Sequence, residues 1–144
     1  MTSASHSWLM WAVLSAVFAA LTAIFAKVGV TRMDADLATL VRTLIISALL
    51  AVIFGAMGKI KGFGEIGARE WLFLALSALA TGASWLCYFR ALKVGDAARV
   101  APVDKLSVVI VAVLGVTLLG EHLSLRAAGG VILIGLGAVL VALG

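Results

Sequence analysis

Residues 7–26 read SWLMWAVLSAVFAALTAIFA, a run of 20 residues without a charged side chain. A helix needs about 20 apolar residues to cross the hydrocarbon core of a bilayer. Backbone N–H and C=O groups find no water in lipid, and the run lacks the two-residue alternation of a barrel strand, so a helix is the expected structure. No Lys or Arg precedes the run, which disfavours a cleaved signal peptide.

Four more runs of the same character follow, and together the five occupy most of the chain. We therefore predict an all-α membrane protein with five transmembrane helices in a single domain, residues 1–144. The approximate spans are 7–27, 37–58, 71–90, 101–120 and 125–143. Pro102 is expected in the first turn of the fourth helix, where a missing N–H costs no hydrogen bond. The glycine-rich segment 59–70 is expected to be an exposed loop.

The composition excludes several classes of protein. The 144 residues are 64% apolar and 12% charged, with a mean hydropathy of +1.21, which does not fit a soluble domain. A net charge of +4 would suggest nucleic-acid binding in a soluble protein. Here the basic residues stand at the ends of hydrophobic runs, so we read them as determinants of topology and expect lipids and a small molecule, not nucleic acid, as partners.

No catalytic or metal-binding pattern is present in the sequence. His6 and His122 lie outside the spans and have no Cys or carboxylate at metal-ligand spacing. Cys87 is the only cysteine, which excludes an internal disulfide and a multi-thiolate site. The glycines of the last helix lack the lysine of a phosphate loop. We therefore predict a protein that is not an enzyme and has no cofactor and no metal.

The loop charges are nearly balanced between the two faces of the membrane. One face carries Lys59, Lys61, Arg69 and Arg126, and the other carries Lys27, Arg32, Arg90, Lys93 and Arg99. Because Lys and Arg bias sets orientation, this balance permits insertion both ways. An odd number of spans ending at the fifth helix then suggests an antiparallel homodimer, as in transporters with inverted halves. A single orientation or a distinct five-helix partner chain remains open.

Charged residues inside a span cost about 2.5 to 3.5 kcal/mol near the bilayer centre, so each must be accounted for. Lys27 and Arg90 end their runs, where snorkelling to the interface competes with a place in a substrate pathway. Arg42 and Lys105 have apolar residues on both sides and are stronger candidates. The mainly positive charge hints at an anionic or zwitterionic substrate.

Asp104 and Glu121 are carboxylates that could pair with these cations. Asp104 is the only carboxylate within a predicted span, and an ion pair with Arg42 or Arg90, which could also gate a cavity, is expected for it. Glu121 lies between two spans, where capping or pairing with a basic loop residue is favoured over proton coupling.

Trp85 and Tyr88 lie three residues apart near the end of the third span, on one face of the helix beside Arg90. Aromatic rings next to a cation could line a binding cavity. Anchoring in the membrane interface explains them equally well, because the span ends directly afterwards.

The segment YFRAL at 88–92 and the stretch from Val100 to Ala142, which contains LLGE at 118–121, resemble the second half of an EamA domain of the drug/metabolite transporter superfamily. Arg42 and the aromatic-rich first span fit the first half. The chain is similar to the half-size, five-helix branch of that family.

This resemblance implies a transporter, usually an exporter of small metabolites, which works by alternating access without a bound cofactor in a prokaryotic inner membrane. Arg42, Asp104, Lys105 and Glu121 fall on its motif positions. The related four-helix multidrug exporters have a glutamate inside the first helix, which this chain lacks, so a cationic multidrug exporter is a weaker alternative. A non-transporting membrane scaffold or accessory subunit is another. Our predicted pathway residues are Lys27, Arg42, Trp85, Tyr88, Asp104 and Lys105, with Arg90 and Glu121 as structural or gating residues.

Overall fold

The computed structural model describes residues 4–144, with all of their side chains except those at positions 4–7, 60, 61 and 63. The described residues are mainly helical and contain no strand. In chain order the elements are α1 (Ala4–Val30), α2 (Ala35–Ala56), a 3₁₀ helix (Lys59–Glu65), α3 (Ala68–Val94), α4 (Ala97–Asp104), α5 (Leu106–Leu118) and α6 (Leu125–Leu143).

Five segments of these helices are long and apolar enough to cross a membrane. They are Trp8–Val30, Ala35–Ala56, Ala68–Val94, Ala97–Leu118 and Leu125–Leu143. The predicted fold class is therefore confirmed, and the protein is an integral membrane protein.

The fourth span differs from the prediction at Pro102. This residue lies inside α4, which begins at Ala97, and not in the first turn of its helix. The proline ring has no N–H to donate and crowds the carbonyl one turn before it. The helix tightens just beyond, where the Lys105 N–H donates to Pro102 O (3.0 Å) and the Val108 N–H donates to Lys105 O (2.9 Å). These three-residue steps divide one span into α4 and α5.

The polar segment after α2 is also more regular than expected. Lys59–Glu65 forms a 3₁₀ helix instead of an irregular loop. Gly58 precedes it with φ of 66°, a left-handed conformation that glycine adopts without steric cost. This glycine separates the end of α2 from the 3₁₀ helix.

The chain divides into two compact units, and the first consists of residues 26–93. Asp34 caps α2, since its carboxylate accepts from the N–H groups of Asp36 and Leu37, both at 3.0 Å. The buried residues of this unit come from the end of α1, the first turns of α2 and the end of α3; they are Val30, Ala35, Ala38, Thr39, Phe89 and Leu92. Its core therefore lies at one end of its helices.

The second unit combines residues 1–25 with residues 94–144. Gly135 of α6 closely approaches α5, because a Cβ built on it would lie 3.0 Å from Val109 Cγ2. Arg99 in α4 donates to Ala142 O near the end of α6 (3.1 Å). Gly120, with φ of 68°, turns the chain after α5, and Ser124 caps α6 by accepting from the Ala127 N–H (3.2 Å).

Candidate functional site

Arg42 lies on α2, about 10 Å along the helix from its first residue at ~1.5 Å per residue. Its guanidinium carbon lies over the Trp85 ring, 4.3 Å from the centroid, and 5.7 Å from the centroid of the Phe89 ring. Trp85 and Phe89 are four residues apart on α3, so both rings lie on one face of that helix. The contact joins α2 to α3 through a cation and two aromatic rings.

Two of the aromatic rings on α3 pack against each other. Tyr88 and Phe89 meet edge to face, with 6.4 Å between ring centroids and an interplanar angle of 66°. Phe89 is 2% exposed, whereas Trp85 and Tyr88 are half-buried. The buried Phe89 therefore provides a fixed base beside Arg42, and Trp85 and Tyr88 form the accessible part of the cluster.

Two lysines bind backbone carbonyls at the same end of this unit. Lys27 Nζ on α1 donates to Leu92 O on α3 (2.8 Å). Lys93 Nζ on α3 donates to Val30 O (2.9 Å), Thr31 O (3.1 Å) and Met33 O (2.8 Å) at the end of α1 and in the turn after it. Carbonyls at a helix C-terminus lack intrahelical partners, and a lysine there satisfies them. The two lysines thus tie α1 to α3.

Arg90 forms a bidentate ion pair with Asp36. Its Nε and Nη2 donate to the two carboxylate oxygens at 2.8 and 2.7 Å. Asp36 stands in the first turn of α2, where a negative charge also favours the helix dipole. Arg90 is therefore a connector between α2 and α3 within its unit. The pair with Asp104, which belongs to the other unit, stays a prediction.

Among the described residues of the unit 26–93, no carboxylate forms an ion pair with Arg42. The N–H groups of Arg42 also have no hydrogen-bond acceptor in the described part of that unit. Among the described residues, no side-chain N or O atom is both buried and without a hydrogen-bond partner. The unpartnered nitrogen atoms of Arg42 are therefore at least partly exposed. Arg42 thus presents a half-buried cation whose donors are available to another molecule.

Asp104 and Lys105 belong to the other unit, at the junction of α4 and α5. Lys105 Nζ donates to Asp104 Oδ2 at 3.1 Å, and the lysine and aspartate side chains are 54% and 36% exposed. Within its unit, Asp104 therefore pairs with its sequence neighbour. A pair with Arg42 or Arg90, which lie in the other unit, stays a prediction. The break in the helix at Lys105 allows consecutive side chains to meet, which the regular spacing of a helix disfavours.

Glu121 closes the end of α5. Its backbone N–H donates to Gly115 O (3.0 Å), and its carboxylate rests over Gly115, 2.7 Å from the position that a Cβ would occupy. Of the two predicted roles, capping or pairing, the structure shows a cap through the backbone, with Gly115 making room for the side chain.

Three residues that make contacts in this unit are not singled out by the sequence. Phe89 carries a detectable signal, since it lies four residues after Trp85 on the same helix face. Asp36 and Lys93 belong to polar connections in the sequence, and their partners are 54 and 60 to 63 residues away in the chain. No local pattern points to such partners.

Among the described residues no group of His, Cys, Asp and Glu could hold a metal ion.

Comparison with known proteins gives two matches. The model of the EamA-like transporter family matches residues 6–143. A protein of Sinorhizobium sp. described as "Uncharacterized transporter in cobO 3'region" is 61% identical over 138 residues, covering 96% of this chain and 98% of that protein. No solved structure matches the chain significantly. The family match spans all five candidate membrane crossings, and the chain therefore belongs to the EamA-like transporter family.

Proposed function

We propose that this protein moves a small polar or amphipathic metabolite across a membrane by alternating access. The observation that carries the proposal is Arg42, a half-buried cation inside a membrane helix that rests on Trp85 and has no carboxylate partner in its unit. Ionisable groups at such positions are costly and mark substrate pathways. Membership of a transporter family gives independent support.

The substrate pathway in this proposal includes the residues selected from the sequence, Lys27, Arg42, Trp85, Tyr88, Asp104 and Lys105. Arg90 and Glu121 act as gating or structural residues. The direction is export, through the inner membrane of a prokaryotic cell, and no cofactor takes part. The contacts of Lys27 with Leu92 O and of Arg90 with Asp36 would have to change if their helices move during transport.

The functional unit in this proposal is an antiparallel pair of five-helix chains. Five candidate spans, nearly balanced loop charges and a relative covered over 98% of its length support this arrangement. All residues from Trp8 to Leu21 of α1 are exposed, which leaves this part of the helix free for lipid or a partner chain. Two inverted units would enclose the substrate near the midplane between them.

Transport is tested with purified protein in liposomes loaded with a panel of small metabolites. We expect efflux of at least one compound, its loss in Arg42→Ala and Lys105→Ala, and its retention in Arg126→Ala, which removes an exposed cation at the start of α6. The three variants should be equally expressed and equally monodisperse. Normal transport by both Arg42→Ala and Lys105→Ala would refute the site assignment, and a wild-type protein that moves nothing would favour a scaffold.

Orientation is tested by labelling single cysteines on either side of α3. Cys87 is the only cysteine, so Cys87→Ser provides a cysteine-free background. Glu65→Cys and Asp96→Cys then place one exposed thiol before α3 and one after it. Dual orientation predicts that a membrane-impermeant maleimide labels about half of each variant in intact cells. Full labelling of one and none of the other would show a single orientation.

A further inference from the structure

We propose that Arg42 binds one carboxylate group of the transported molecule, and that the substrates are small monocarboxylate anions. This inference rests on the proposed function and names the substrate class. It follows from an inventory of the charges in residues 26–93, where the other cations near Arg42 along the helices already have partners. Lys27 donates to Leu92 O, and Arg90 holds Asp36 through two donors.

The remaining charges near this end of the unit are also accounted for. Lys93 donates to three backbone carbonyls, and the Asp34 carboxylate caps α2. Arg32 is exposed in the turn between α1 and α2, outside the candidate spans. Arg42 therefore supplies one positive charge whose N–H donors have no acceptor among the residues of its unit that the structure describes.

The shape of the group at Arg42 favours a planar acid. A guanidinium is a flat fork of five N–H donors, and it can rest on a ring while its N–H groups form two parallel hydrogen bonds to a carboxylate. Trp85 and Phe89 hold the guanidinium from α3. This support fixes the fork before the ligand arrives, so less conformational freedom is lost on binding.

The single charge distinguishes a carboxylate from other ligands. A phosphate group carries about −1.5 to −2 charges at neutral pH. Arg42 would meet it with one positive charge, since Arg90 holds Asp36 and the three donors of Lys93 are used by carbonyls. The ammonium of an amino acid would need an acidic partner. Asp36 is held by Arg90, Asp34 caps the start of α2, and Asp104 of the proposed pathway is paired with Lys105. The face of the Trp85 ring, which could otherwise attract a lipophilic cation, is occupied by the Arg42 guanidinium. A cationic ligand there would be repelled by the like charge of Arg42.

Equilibrium binding to purified protein in lipid-free detergent tests this proposal separately from transport. Isothermal titration uses four monocarboxylates, namely acetate, butyrate, hexanoate and benzoate. Each is compared with its neutral amide and with a trimethylammonium compound of the same carbon skeleton, and glycine, leucine and phenyl phosphate complete the panel. The proteins are the wild type, Arg42→Lys, Arg42→Gln and the matched control Arg126→Gln.

We expect at least one monocarboxylate to bind, with its amide and ammonium counterparts silent. Arg42→Lys should weaken this binding at least about tenfold, since lysine lacks the planar fork, and Arg42→Gln should abolish it. Arg126→Gln should bind as the wild type does. Arg42-dependent binding without flux in liposomes would overturn the proposed transport and leave the carboxylate site at Arg42 standing.

Several results would overturn the assignment itself. These are no Arg42-dependent binding of any of the four monocarboxylates, binding confined to the amino acids, tighter binding of phenyl phosphate, or transport of a cation that survives Arg42→Gln. A repeat titration with added phosphatidylglycerol distinguishes a lipid source of the anion. Competitive loss of carboxylate binding there would show that Arg42 is a lipid-headgroup site.

Discussion

The guanidinium carbon of Arg42 lies 4.3 Å from the centroid of the Trp85 ring, so a cation of α2 rests on an aromatic side chain of α3. The contact spans two helices that are separated in the chain by the 3₁₀ helix. It holds a charged group partly inside the membrane without neutralising it. The proposed chemistry of the protein depends on this combination.

Replacing Trp85 should therefore weaken substrate binding without removing the charge. We expect Trp85→Leu to reduce the affinity of a bound monocarboxylate two- to thirtyfold, which corresponds to a cation–π energy of about 0.5 to 2 kcal/mol. Trp85→Phe should lose less, because it keeps a ring. Titration calorimetry measures both, with Trp8→Leu, an exposed tryptophan of α1, as the control. Equal affinities for all three variants would show that the ring does not position Arg42.

The Asp36–Arg90 pair should contribute to stability as a coupled unit. Asp36→Asn and Arg90→Gln should each lower the melting temperature in detergent, and the double variant should lose less than the sum of the two. Because both side chains are largely exposed, the loss should be modest and should shrink at high salt. Strictly additive losses at low salt would contradict the coupling.

A charge exchange of the same pair tests its orientation. The double variant Asp36→Arg with Arg90→Asp should recover only part of the melting temperature, because an arginine would then stand in the first turn of α2, against the helix dipole. Full recovery would show that the dipole adds nothing here.

Lys93 should stabilise the end of α1 through its three carbonyl contacts. Lys93→Met keeps the apolar stem and removes the donors, so the free energy of unfolding should fall by about 1 to 2 kcal/mol. Reversible unfolding in mixed micelles, with an increasing fraction of a denaturing detergent, measures this free energy. Lys59→Met removes an exposed lysine of the 3₁₀ helix and serves as the matched control. A similar loss in both variants would assign the effect to net charge.

Gly135 should be required for the close approach of α6 to α5. Gly135→Ala would place its Cβ 3.0 Å from Val109 Cγ2, whereas a Cβ on Gly137 meets nothing within 4 Å. Both substitutions gain the same helix propensity, so their difference isolates the contact. We expect Gly135→Ala to be less stable than Gly137→Ala by about 1 kcal/mol or more. Val109→Ala combined with Gly135→Ala should recover most of this difference; no recovery would place the strain elsewhere.

Local properties of the sequence are enough to predict the class of fold and to select Arg42. A span of about 20 apolar residues is recognisable without any neighbour, because the bilayer imposes its thickness on each helix separately. Arg42 and Trp85 stand out in the same way, as a charge and an amphipathic ring in apolar surroundings. The position of Pro102 in its helix is not predicted correctly, because that helix starts among polar residues, where hydropathy gives no sharp boundary.

The tertiary structure decides which of the cations near the span ends find a partner on another helix. Arg90 meets Asp36 across 54 residues and Lys27 meets Leu92 O across 65, so neither partner has a fixed spacing that a sequence could reveal. Before these contacts are known, Lys27, Arg42 and Arg90 are all cations near span ends, and only the apolar residues on both sides of Arg42 set it apart. Helix packing gives Lys27 and Arg90 partners within the protein, whereas Arg42 rests on Trp85 with its N–H donors unoccupied in the described part of its unit. The reason is that a hydrogen bond depends on distance in space and not on distance along the chain.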